Sequence, residues 1–315
     1  MDPAPADGSA DPAADRTAAH LSPPLELPPL LAANQDPEVA AWRQTLPAVL
    51  TQTLDALELR AGAPFRPGGS ASWVAPVRDA HGVELVLKVS FAHDEARDEA
   101  AGMLAWQGYG AAQILHAEQR AGSTVLLMEH VRPGTSLRDA ADTSGQDDVL
   151  APLLRRLWSR PDPLSVHPFR PLAQMCSWWA DEARKRLAVS QLLAPGLVEH
   201  GLGLLTELAA DGESDQVLLA TDLHAGNVLR SEQGWVLIDP KPYLGDPHYD
   251  LLQHLLNEVP PLLADPAGRA AQLARRTGLD PRRAQDWLLA RCVQEAGVMP
   301  GADRAAQLLA RDEHG

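Results

Sequence analysis

The sequence contains little cysteine: Cys176 and Cys292 are the only two among its 315 residues. Two cysteines cannot build a disulfide framework, and no Cys-x-x-Cys pair is present to suggest a thiolate zinc or redox site. A chain of this length buries most of the surface that it exposes when unfolded, so it does not need disulfides to fold. We therefore expect a protein of a reducing compartment, the cytoplasm by default.

The sequence also lacks the features of membrane and secreted proteins. No run of about 18 apolar residues is present, which argues against a transmembrane helix. The first residues carry acids where a signal peptide needs positive charge, and no apolar core follows them. We interpret residues 1–24, rich in Ala, Pro and Asp, as a disordered leader.

Basic residues are in the minority. The chain has 42 acidic and 27 basic side chains, which gives a formal net charge of −15. A nucleic-acid-binding protein normally presents a basic surface, so this balance argues against nucleic acid as a partner. The acidic balance favours a cationic ligand only weakly, since many acidic proteins bind none.

The first part of the chain is predicted to form a small sheet with flanking helices. A helix is predicted over residues 36–59, although Pro47 would divide it into two pieces. A turn signal at residues 79–82 separates two strand-like runs, and the second run contains Lys88. A helix of about three turns is predicted to follow, with Asp94 as its N-cap.

Helical periodicity dominates the second part of the chain, with one β-type segment over residues 216–246 inside it. The sequence between a predicted strand near residue 128 and this helical part is interpreted as a connector. We therefore predict an α+β, bilobal fold. Its sheet-containing N-lobe covers residues 25–131 and its helical C-lobe covers residues 132–315.

The β-type segment contains the most informative spacing in the chain. Asp222 precedes Asn227 by five positions, and Asp239 follows an apolar strand twelve positions later. Phosphoryl transfer needs a carboxylate that orients the attacking hydroxyl, and oxygen ligands that hold Mg²⁺ against the phosphates. Kinases present an Asp, an Asn and a second Asp in this order. Asp and Asn also populate ordinary loops, so the spacing needs a second, independent feature.

A strand lysine and a helix acid supply that second feature. Lys88 lies in a predicted strand, and the acidic helix after it offers Glu95 and Glu99. In kinases a strand lysine binds the α- and β-phosphates of ATP, and a helix glutamate holds that lysine in place. The ordered combination of both features indicates a kinase.

The segment TDLHAGNVL, followed by WVLIDPKPYLGDPHYDLLQHLLN, resembles the aminoglycoside phosphotransferase family. Within that family it is similar to the branch of streptomycin 6-phosphotransferases and hydroxyurea phosphotransferases. The resemblance implies a protein-kinase-like fold, ATP as the phosphate donor and Mg²⁺ as the cofactor. It also implies that Asp222 is the catalytic base and that Asn227 and Asp239 are the magnesium ligands.

Further residues are assigned to nucleotide binding. The resemblance implies that Lys88 is the phosphate clamp and Glu99 its partner, and that Glu129 and Val131 lie in the hinge whose backbone would bind adenine. The segment PGGSAS adds a candidate from its own chemistry, because its glycines permit close backbone approach and Ser70 can donate a hydrogen bond to a phosphate.

The start of the catalytic loop departs from the family pattern. The family loop begins His-Gly-Asp, whereas this chain has Ala220 and Thr221 before Asp222. The family histidine supports the loop backbone, so its absence predicts a looser site and leaves a nucleotide-binding pseudokinase as an alternative. A protein kinase is disfavoured, because the chain has no Asp-Phe-Gly, no Ala-Pro-Glu and no room for an activation loop.

The acceptor is predicted to be a small, polar, amine-bearing molecule. The family branch favours an aminocyclitol of the streptomycin type or hydroxyurea, with a metabolite such as choline, homoserine or an amino sugar as the alternative. Asp181, Glu182 and Asp246 are candidate carboxylates for its cationic groups. Asp250 is predicted to brace the catalytic loop. A zinc site built from His224, His248 and His254 is disfavoured, since their spacing fits no common ligand set.

Overall fold

The computed structural model describes residues 26–159, 168–212 and 216–312, so the predicted leader over residues 1–24 lies outside the described residues. By its internal contacts the chain divides into two compact units. Unit 1 comprises Met1–Arg97 and Ile114–His130, and unit 2 comprises Asp98–Gln113 and Val131–Gly315.

The secondary-structure elements are numbered here in chain order. The strands are β1 (Arg60–Ala61), β2 (Ser72–Arg78), β3 (Glu84–Phe91), β4 (Ile114–Arg120), β5 (Ser123–Glu129), β6 (Pro133–Ser136), β7 (Val217–Leu219), β8 (Val228–Ser231), β9 (Gly234–Leu237) and β10 (Tyr243–Gly245). The helices are α1 (Pro29–Ala33), α2 (Pro37–Ala56), α3 (Glu99–Ala105), α4 (Leu137–Ala140), α5 (Thr143–Trp158), α6 (Leu172–Ser190), α7 (Pro195–Ala210), α8 (Leu252–Asn257), α9 (Val259–Ala264), α10 (Pro266–Thr277), α11 (Pro281–Gln294) and α12 (Ala302–Asp312). In the part of the chain that the structure describes, 3₁₀ turns cover Asp94–Ala96, Ala225–Asn227 and Pro247–Leu251.

Unit 1 is built on an antiparallel five-stranded sheet in the order β1-β2-β3-β5-β4. The predicted hairpin is confirmed: β2 pairs with β3, and the Asp79 side chain accepts hydrogen bonds from the backbone N–H groups of His81 and Val83 in the turn. The central strand β3 is paired on both sides and contains Lys88, which is opposite Val74 on β2 and Leu126 on β5. The sheet therefore fixes the backbone of Lys88 rigidly.

Helix α2 covers one side of the unit 1 core. Asp36 caps it as predicted, because its side chain accepts hydrogen bonds from the backbone N–H groups of Glu38 and Val39. The prediction that Pro47 divides the helix is wrong, since α2 runs through it without a break. Apolar side chains of α2, among them Leu46, Leu50 and Leu54, are fully buried in the same cluster as residues of β2 and β3, and this packing outweighs the backbone hydrogen bond that proline cannot donate.

The described residues of unit 2 form helices α3 to α12 and two small antiparallel sheets. One sheet has the order β6-β8-β9 and the other pairs β10 with β7. The predicted connector after β5 therefore contains a strand, β6, that pairs with β8. The apolar faces of α7 and α11 are buried in the helical core of this unit, including Leu202, Leu205 and Leu288.

The segment Asp98–Gln113 belongs to unit 2, whereas the sequence placed it in the N-lobe. The backbone N–H of Ala112 donates to Leu237 O at 3.0 Å, and the N–H of Leu237 donates to Gly110 O at 2.7 Å. The helix predicted to start at Asp94 starts at Glu99 instead, after a 3₁₀ turn. Asp98, directly before it, is buried in an ion pair with Arg170 of unit 2.

Both cysteines, Cys176 and Cys292, are buried free thiols in unit 2. Within the described ranges no helix is both long enough and apolar enough to cross a membrane.

Candidate active site

The segment from β7 to the residues after β9 brings together three of the residues that the sequence predicted for chemistry. Asp222 lies in the loop after β7, Asn227 ends the 3₁₀ turn before β8, and Asp239 follows β9. The Asn227 side-chain amide donates a hydrogen bond to the Asp222 carbonyl at 3.0 Å. The backbone N–H of Ile238, next to Asp239, donates to the Asn227 carbonyl at 2.9 Å. Strand pairing and these two bonds hold the three residues as one group.

The oxygen atoms of this group suit a hard cation. Because Asn227 Nδ2 is bonded to a carbonyl, Oδ1 is the atom that the amide can offer to a metal. Asp239 is exposed, and its φ of 54° places it in the left-handed region, which turns the chain sharply after β9. Carboxylate and amide oxygens are the ligands that Mg²⁺ prefers, and Mg²⁺ is commonly held by one or two protein groups together with substrate phosphates.

Asp250 holds the start of the catalytic loop. Its carboxylate accepts hydrogen bonds from the backbone N–H groups of Ala220 (3.1 Å) and Thr221 (2.8 Å), the two residues that replace the family His-Gly pair. The indole Nε1 of Trp158 donates a third bond to Asp250 at 2.9 Å. The predicted bracing role of Asp250 is therefore confirmed, and the loop is supported without the family histidine.

Burial raises the pKa of Asp250 to about 6, against the opposing effect of the hydrogen bonds from Trp158, Thr221 and Ala220. The carboxylate is fully buried, so its charged form is disfavoured, while the three donors favour it. Asp250 consequently changes charge in a pH range where an enzyme operates.

Thr221 provides a second support that the family pattern does not contain. Its φ of 49° lies in the left-handed region, which costs a β-branched residue free energy and is favoured by glycine. The Thr221 hydroxyl donates a hydrogen bond to the Lys241 carbonyl, and the backbone N–H of Lys241 donates to the Ala220 carbonyl at 2.9 Å. The two bonds tie the loop before Asp222 to the chain after Asp239.

Sequence reasoning missed Lys241 as a site residue. Its Nζ lies 3.7 Å from Oδ2 of Asp222. The sequence signal that could have identified Lys241 is its position in the segment IDPK, two residues after Asp239. Asp239 was assigned a role from this segment, whereas the lysine was not.

The loop after Asp222 contains His224, whose imidazole ring is uncharged at neutral pH. Its Nδ1 accepts a hydrogen bond from the backbone N–H of Gly226 at 3.0 Å and lies 3.3 Å from Arg138 Nη2. Burial, followed by the nearby Arg138 charge, lowers the His224 pKa to about 4. A Cβ at position 226 would lie 2.8 Å from His224 Cε1, so Gly226 permits the close approach of ring and loop.

The residues predicted for nucleotide binding belong to both units. Lys88 is buried at the centre of β3 and Glu129 is half-buried at the end of β5, both in unit 1. Ser70 is exposed in the loop before β2, where its carbonyl accepts a hydrogen bond from the Asn34 side chain. Glu99, buried at the start of α3, and Val131 belong to unit 2. The pairing of Lys88 with Glu99 stays a prediction.

Asp246 was wrongly predicted as a carboxylate for the acceptor. It is 1% exposed, and its two oxygens accept hydrogen bonds from His248, Arg283 and Trp287. Burial opposes ionisation, but the hydrogen bonds from His248 and Trp287 outweigh it and lower the pKa of Asp246 to about 2. Asp246 is therefore part of the core of unit 2. The other two candidates, Asp181 and Glu182, are exposed on α6 and form ion pairs with Arg184 and Lys185.

The three histidines do not converge on a metal site. His248 bonds Asp246 and the backbone N–H of Asp280, while His254 bonds Asp147. Among the residues that the structure describes, no cluster of three or more His, Cys, Asp or Glu side chains is arranged to hold a metal ion. The geometry therefore gives no support to the hypothesis of a zinc site, which the sequence already disfavoured.

A sheet-bearing unit, a helical unit and a loop that presents Asp, Asn and Asp in series define a phosphotransferase with the protein-kinase-like fold. The same fold occurs in an aminoglycoside phosphotransferase in ternary complex with ADP and hygromycin B. That structure gives a TM-score of 0.59 at 16% sequence identity, covering 85% of this chain and 99% of that chain. A family model described as aminoglycoside/hydroxyurea antibiotic resistance kinase matches residues 61–300. The chain belongs to this family, as the sequence resemblance predicted.

Two curated relatives fall in the expected branch. The chain is 32% identical over 286 residues to a streptomycin 6-kinase from Streptomyces glaucescens, covering 86% of this chain and 90% of that protein. It is 34% identical over 252 residues to a hydroxyurea phosphotransferase from Kitasatospora aureofaciens, covering 79% of this chain and 72% of that protein.

Proposed function

We propose that this protein transfers the γ-phosphoryl group of ATP to a hydroxyl group of an antibiotic of the streptomycin type, with hydroxyurea as the second candidate acceptor. The observation that carries the proposal is the single hydrogen-bonded group of Asp222, Asn227 and Asp239 in a member of this kinase family. The relatives supply the choice of acceptor, since one phosphorylates streptomycin and the other hydroxyurea by name.

In this proposal Asp222 is the general base. Its side chain is partly accessible, so an acceptor hydroxyl can donate a hydrogen bond to it. As the acceptor oxygen forms its bond to the γ-phosphorus, Asp222 takes the hydroxyl proton, and the bond to the β-phosphate oxygen breaks with its electron pair on ADP. Positioning of the hydroxyl accounts for most of the contribution that such a residue makes.

Asn227 and Asp239 are the proposed magnesium ligands, through the amide Oδ1 and the carboxylate oxygens. Mg²⁺, when bound there with the nucleotide, neutralises charge on the phosphates. Lys88 is proposed to bind the α- and β-phosphates, with Glu99 as its partner. Ser70 is proposed to donate a hydrogen bond to the phosphates, and the backbone at Glu129 and Val131 to bind adenine.

The geometry of the loop favours an active enzyme over a pseudokinase. The absence of the family His-Gly pair predicted a looser site, yet Asp250 binds the two backbone N–H groups concerned and Thr221 binds Lys241. A protein that only binds nucleotide has no chemical need for a base that is positioned in this way. The predicted cytoplasmic location stays a prediction.

The proposal is tested by measuring ADP release with Mg²⁺-ATP and a panel of acceptors: streptomycin, hydroxyurea, choline, homoserine and an amino sugar. We expect turnover with streptomycin or hydroxyurea, and resistance to the same compound in a sensitive host that expresses the chain but not its Asp222→Asn variant. Turnover with a metabolite alone would establish the metabolite-kinase alternative. Nucleotide binding without turnover of any compound would establish the pseudokinase.

A further inference from the structure

The backbone of Lys241 is hydrogen-bonded to the loop that precedes Asp222. Its backbone N–H donates to the carbonyl of Ala220, and its own carbonyl accepts the hydroxyl hydrogen bond of Thr221. Ala220 and Thr221 directly precede Asp222. Because both polar groups of the Lys241 backbone are bonded to this loop, the start of its side chain is fixed relative to the Asp222 carboxylate.

The ammonium group of Lys241 lies beside the carboxylate of Asp222. The distance from Nζ to Oδ2 is 3.7 Å, which exceeds the roughly 2.7–2.9 Å of a charge-assisted hydrogen bond. The Lys241 side chain is 38% exposed and the Asp222 side chain 21% exposed, so both can be reached by a ligand. A lysine ammonium has three donors on a flexible stem, and it can contact a second anion while it remains near the first.

The chemistry of the proposed reaction favours a cation beside Asp222, in addition to Lys88 and the magnesium ion proposed at Asn227 and Asp239. A triphosphate must approach two carboxylates, Asp222 and Asp239, and like charges at close range repel. In an attack geometry the acceptor oxygen lies within hydrogen-bond reach of Asp222 and about 3–3.5 Å from the γ-phosphorus. An ammonium 3.7 Å from the Asp222 carboxylate is then within reach of the γ-phosphoryl oxygens.

We propose that Lys241 is a further catalytic residue, whose ammonium binds the γ-phosphoryl group beside Asp222 during transfer. This inference rests on the proposed phosphotransferase function. The ammonium keeps its proton throughout: the hydroxyl proton goes to Asp222, the new bond forms at the acceptor oxygen, and the electron pair of the broken bond leaves on ADP. Lys241 offsets charge on the oxygens that carry the transferred phosphorus.

If Lys241 had only a structural role, its substitution would have a different effect. A partly exposed ion pair contributes little to folding, so its loss would leave both stability and turnover near those of the parent. The backbone bonds of Lys241 do not depend on its side chain, and a substitution there preserves the support of the loop. Side-chain variants of Lys241 therefore separate catalysis from loop structure.

The kinetic test compares Lys241→Met and Lys241→Arg with Arg282→Met. Arg282 is a matched control: an exposed cation on α11 that is ion-paired with Asp286 outside the site. We expect Lys241→Met to lower kcat by roughly 10²-fold with the acceptor KM within about threefold of the parent, as for loss of a group that acts in the transition state. Lys241→Arg retains the charge and should recover part of the loss, while Arg282→Met should match the parent. A kcat for Lys241→Met within about threefold of the parent would overturn the proposal.

A binding test is independent of the acceptor. Calorimetry with AMP-PNP and with ADP, both with Mg²⁺, should show that Lys241→Met weakens binding of the triphosphate analogue about tenfold and leaves ADP affinity unchanged. Equal effects on the two nucleotides, or no effect on either, would overturn the contact with the γ-phosphoryl group. If the parent phosphorylates neither streptomycin nor hydroxyurea, the proposed acceptors fail, and this comparison still decides the role of Lys241. Thermal melting of each variant checks its fold, and Lys241→Gln, which also removes the charge, replaces Lys241→Met in the comparison if the latter is unfolded.

Discussion

The backbone N–H of Thr221 donates a 2.8 Å hydrogen bond to Oδ1 of Asp250, and the two residues are separated by 29 positions in the chain. Asp250 lies in the 3₁₀ turn before α8, so the bond ties the catalytic loop to the helical core of unit 2. The other carboxylate oxygen accepts from Ala220 and from Trp158. Buried charge is costly unless hydrogen bonds satisfy it, and here three donors do so. We therefore expect the position of Asp222 to depend on the ionised state of Asp250.

Asp250→Asn should lower kcat by roughly tenfold or more, because the amide nitrogen cannot accept a hydrogen bond from the loop or from Trp158. In the parent, kcat should fall as the pH falls through about 6, where Asp250 takes up a proton and loses acceptor capacity. This decrease of kcat at acid pH, the acid limb of the profile, should be absent from the pH profile of Asp250→Asn. Steady-state rates between pH 5 and pH 8 (a range about one to two units either side of the pKa) measure both effects.

Asp286→Asn is the matched control for this change, since Asp286 pairs with Arg282 on α11 outside the site. It should retain both the parent kcat and the parent pH profile. An Asp250→Asn variant with the rate and the acid limb of the parent would show that the loop does not depend on this carboxylate.

The hydroxyl of Thr221 is tested by Thr221→Val and Thr221→Ser. Valine keeps the shape and removes the donor, which should lower the free energy of unfolding by about 1 kcal/mol and reduce kcat. Serine keeps the hydroxyl and removes one branch at a left-handed backbone position, so it should match the parent in rate and equal or exceed it in stability. Urea unfolding with steady-state kinetics measures both. Equal rates in the two variants would contradict the role of the hydrogen bond to Lys241.

Asp239→Ala should abolish the Mg²⁺-dependent part of ATP binding, and Asn227→Ala should weaken it. Each change removes an oxygen ligand from a cation that keeps few protein contacts. Calorimetric titration of ATP with Mg²⁺ and with EDTA measures the difference. Unchanged Mg²⁺-dependent affinity in both variants would place the metal elsewhere, and unchanged melting temperatures would confirm that the variants are folded.

Asp246 is expected to control stability and not acceptor binding. Its folded-state pKa of about 2 is below the ordinary value of 3.8, so its contribution to stability is full above about pH 4 and is lost as the pH falls through about 2. Asp246→Asn leaves Arg283 with a weaker partner and should cost about 3 kcal/mol or more. Urea unfolding at pH 7 and at pH 3 measures the loss and its dependence on pH. A variant as stable as the parent that binds the acceptor less well would restore the original assignment.

The secondary-structure elements that have a clear hydrophobic periodicity, a turn signal or a helix N-cap could be predicted from the sequence. The hairpin of β2 and β3 and the helix α2 with its Asp36 cap lie where the patterns predicted them. Strand β4 was missed because its sequence, ILHAEQR, is largely polar, and strand β6 because Pro133 and Gly134 indicate a connector. Strand β4 pairs with β5 across the turn at Ala121 and Gly122, whereas β6 pairs with β8, a strand far along the chain that a local pattern cannot indicate.

In the candidate site, too, some features could be predicted from the sequence and others could not. The spacing of Asp222, Asn227 and Asp239 could be found in the sequence because the three residues lie within one short segment of the chain. The contacts of Lys241 with Asp222 and of Arg138 with His224 could not, since they depend on how the chain turns after β9 and on where α4 packs. The misassignment of Asp246 has the same origin, because burial decides the role of a carboxylate and spacing does not reveal burial.

In the proposed reaction Asp222 activates a hydroxyl of streptomycin or hydroxyurea for attack on ATP. Its most direct test is mass spectrometry of each compound after incubation with Mg²⁺-ATP and either the parent or Asp222→Asn, at equal concentrations of folded protein. We predict that the parent adds one phosphoryl group to at least one of the two compounds, and that the variant forms this product about 10²- to 10⁴-fold more slowly while it binds ATP normally. A variant that forms the product within about threefold of the parent rate, or a parent that modifies neither compound, would contradict the account.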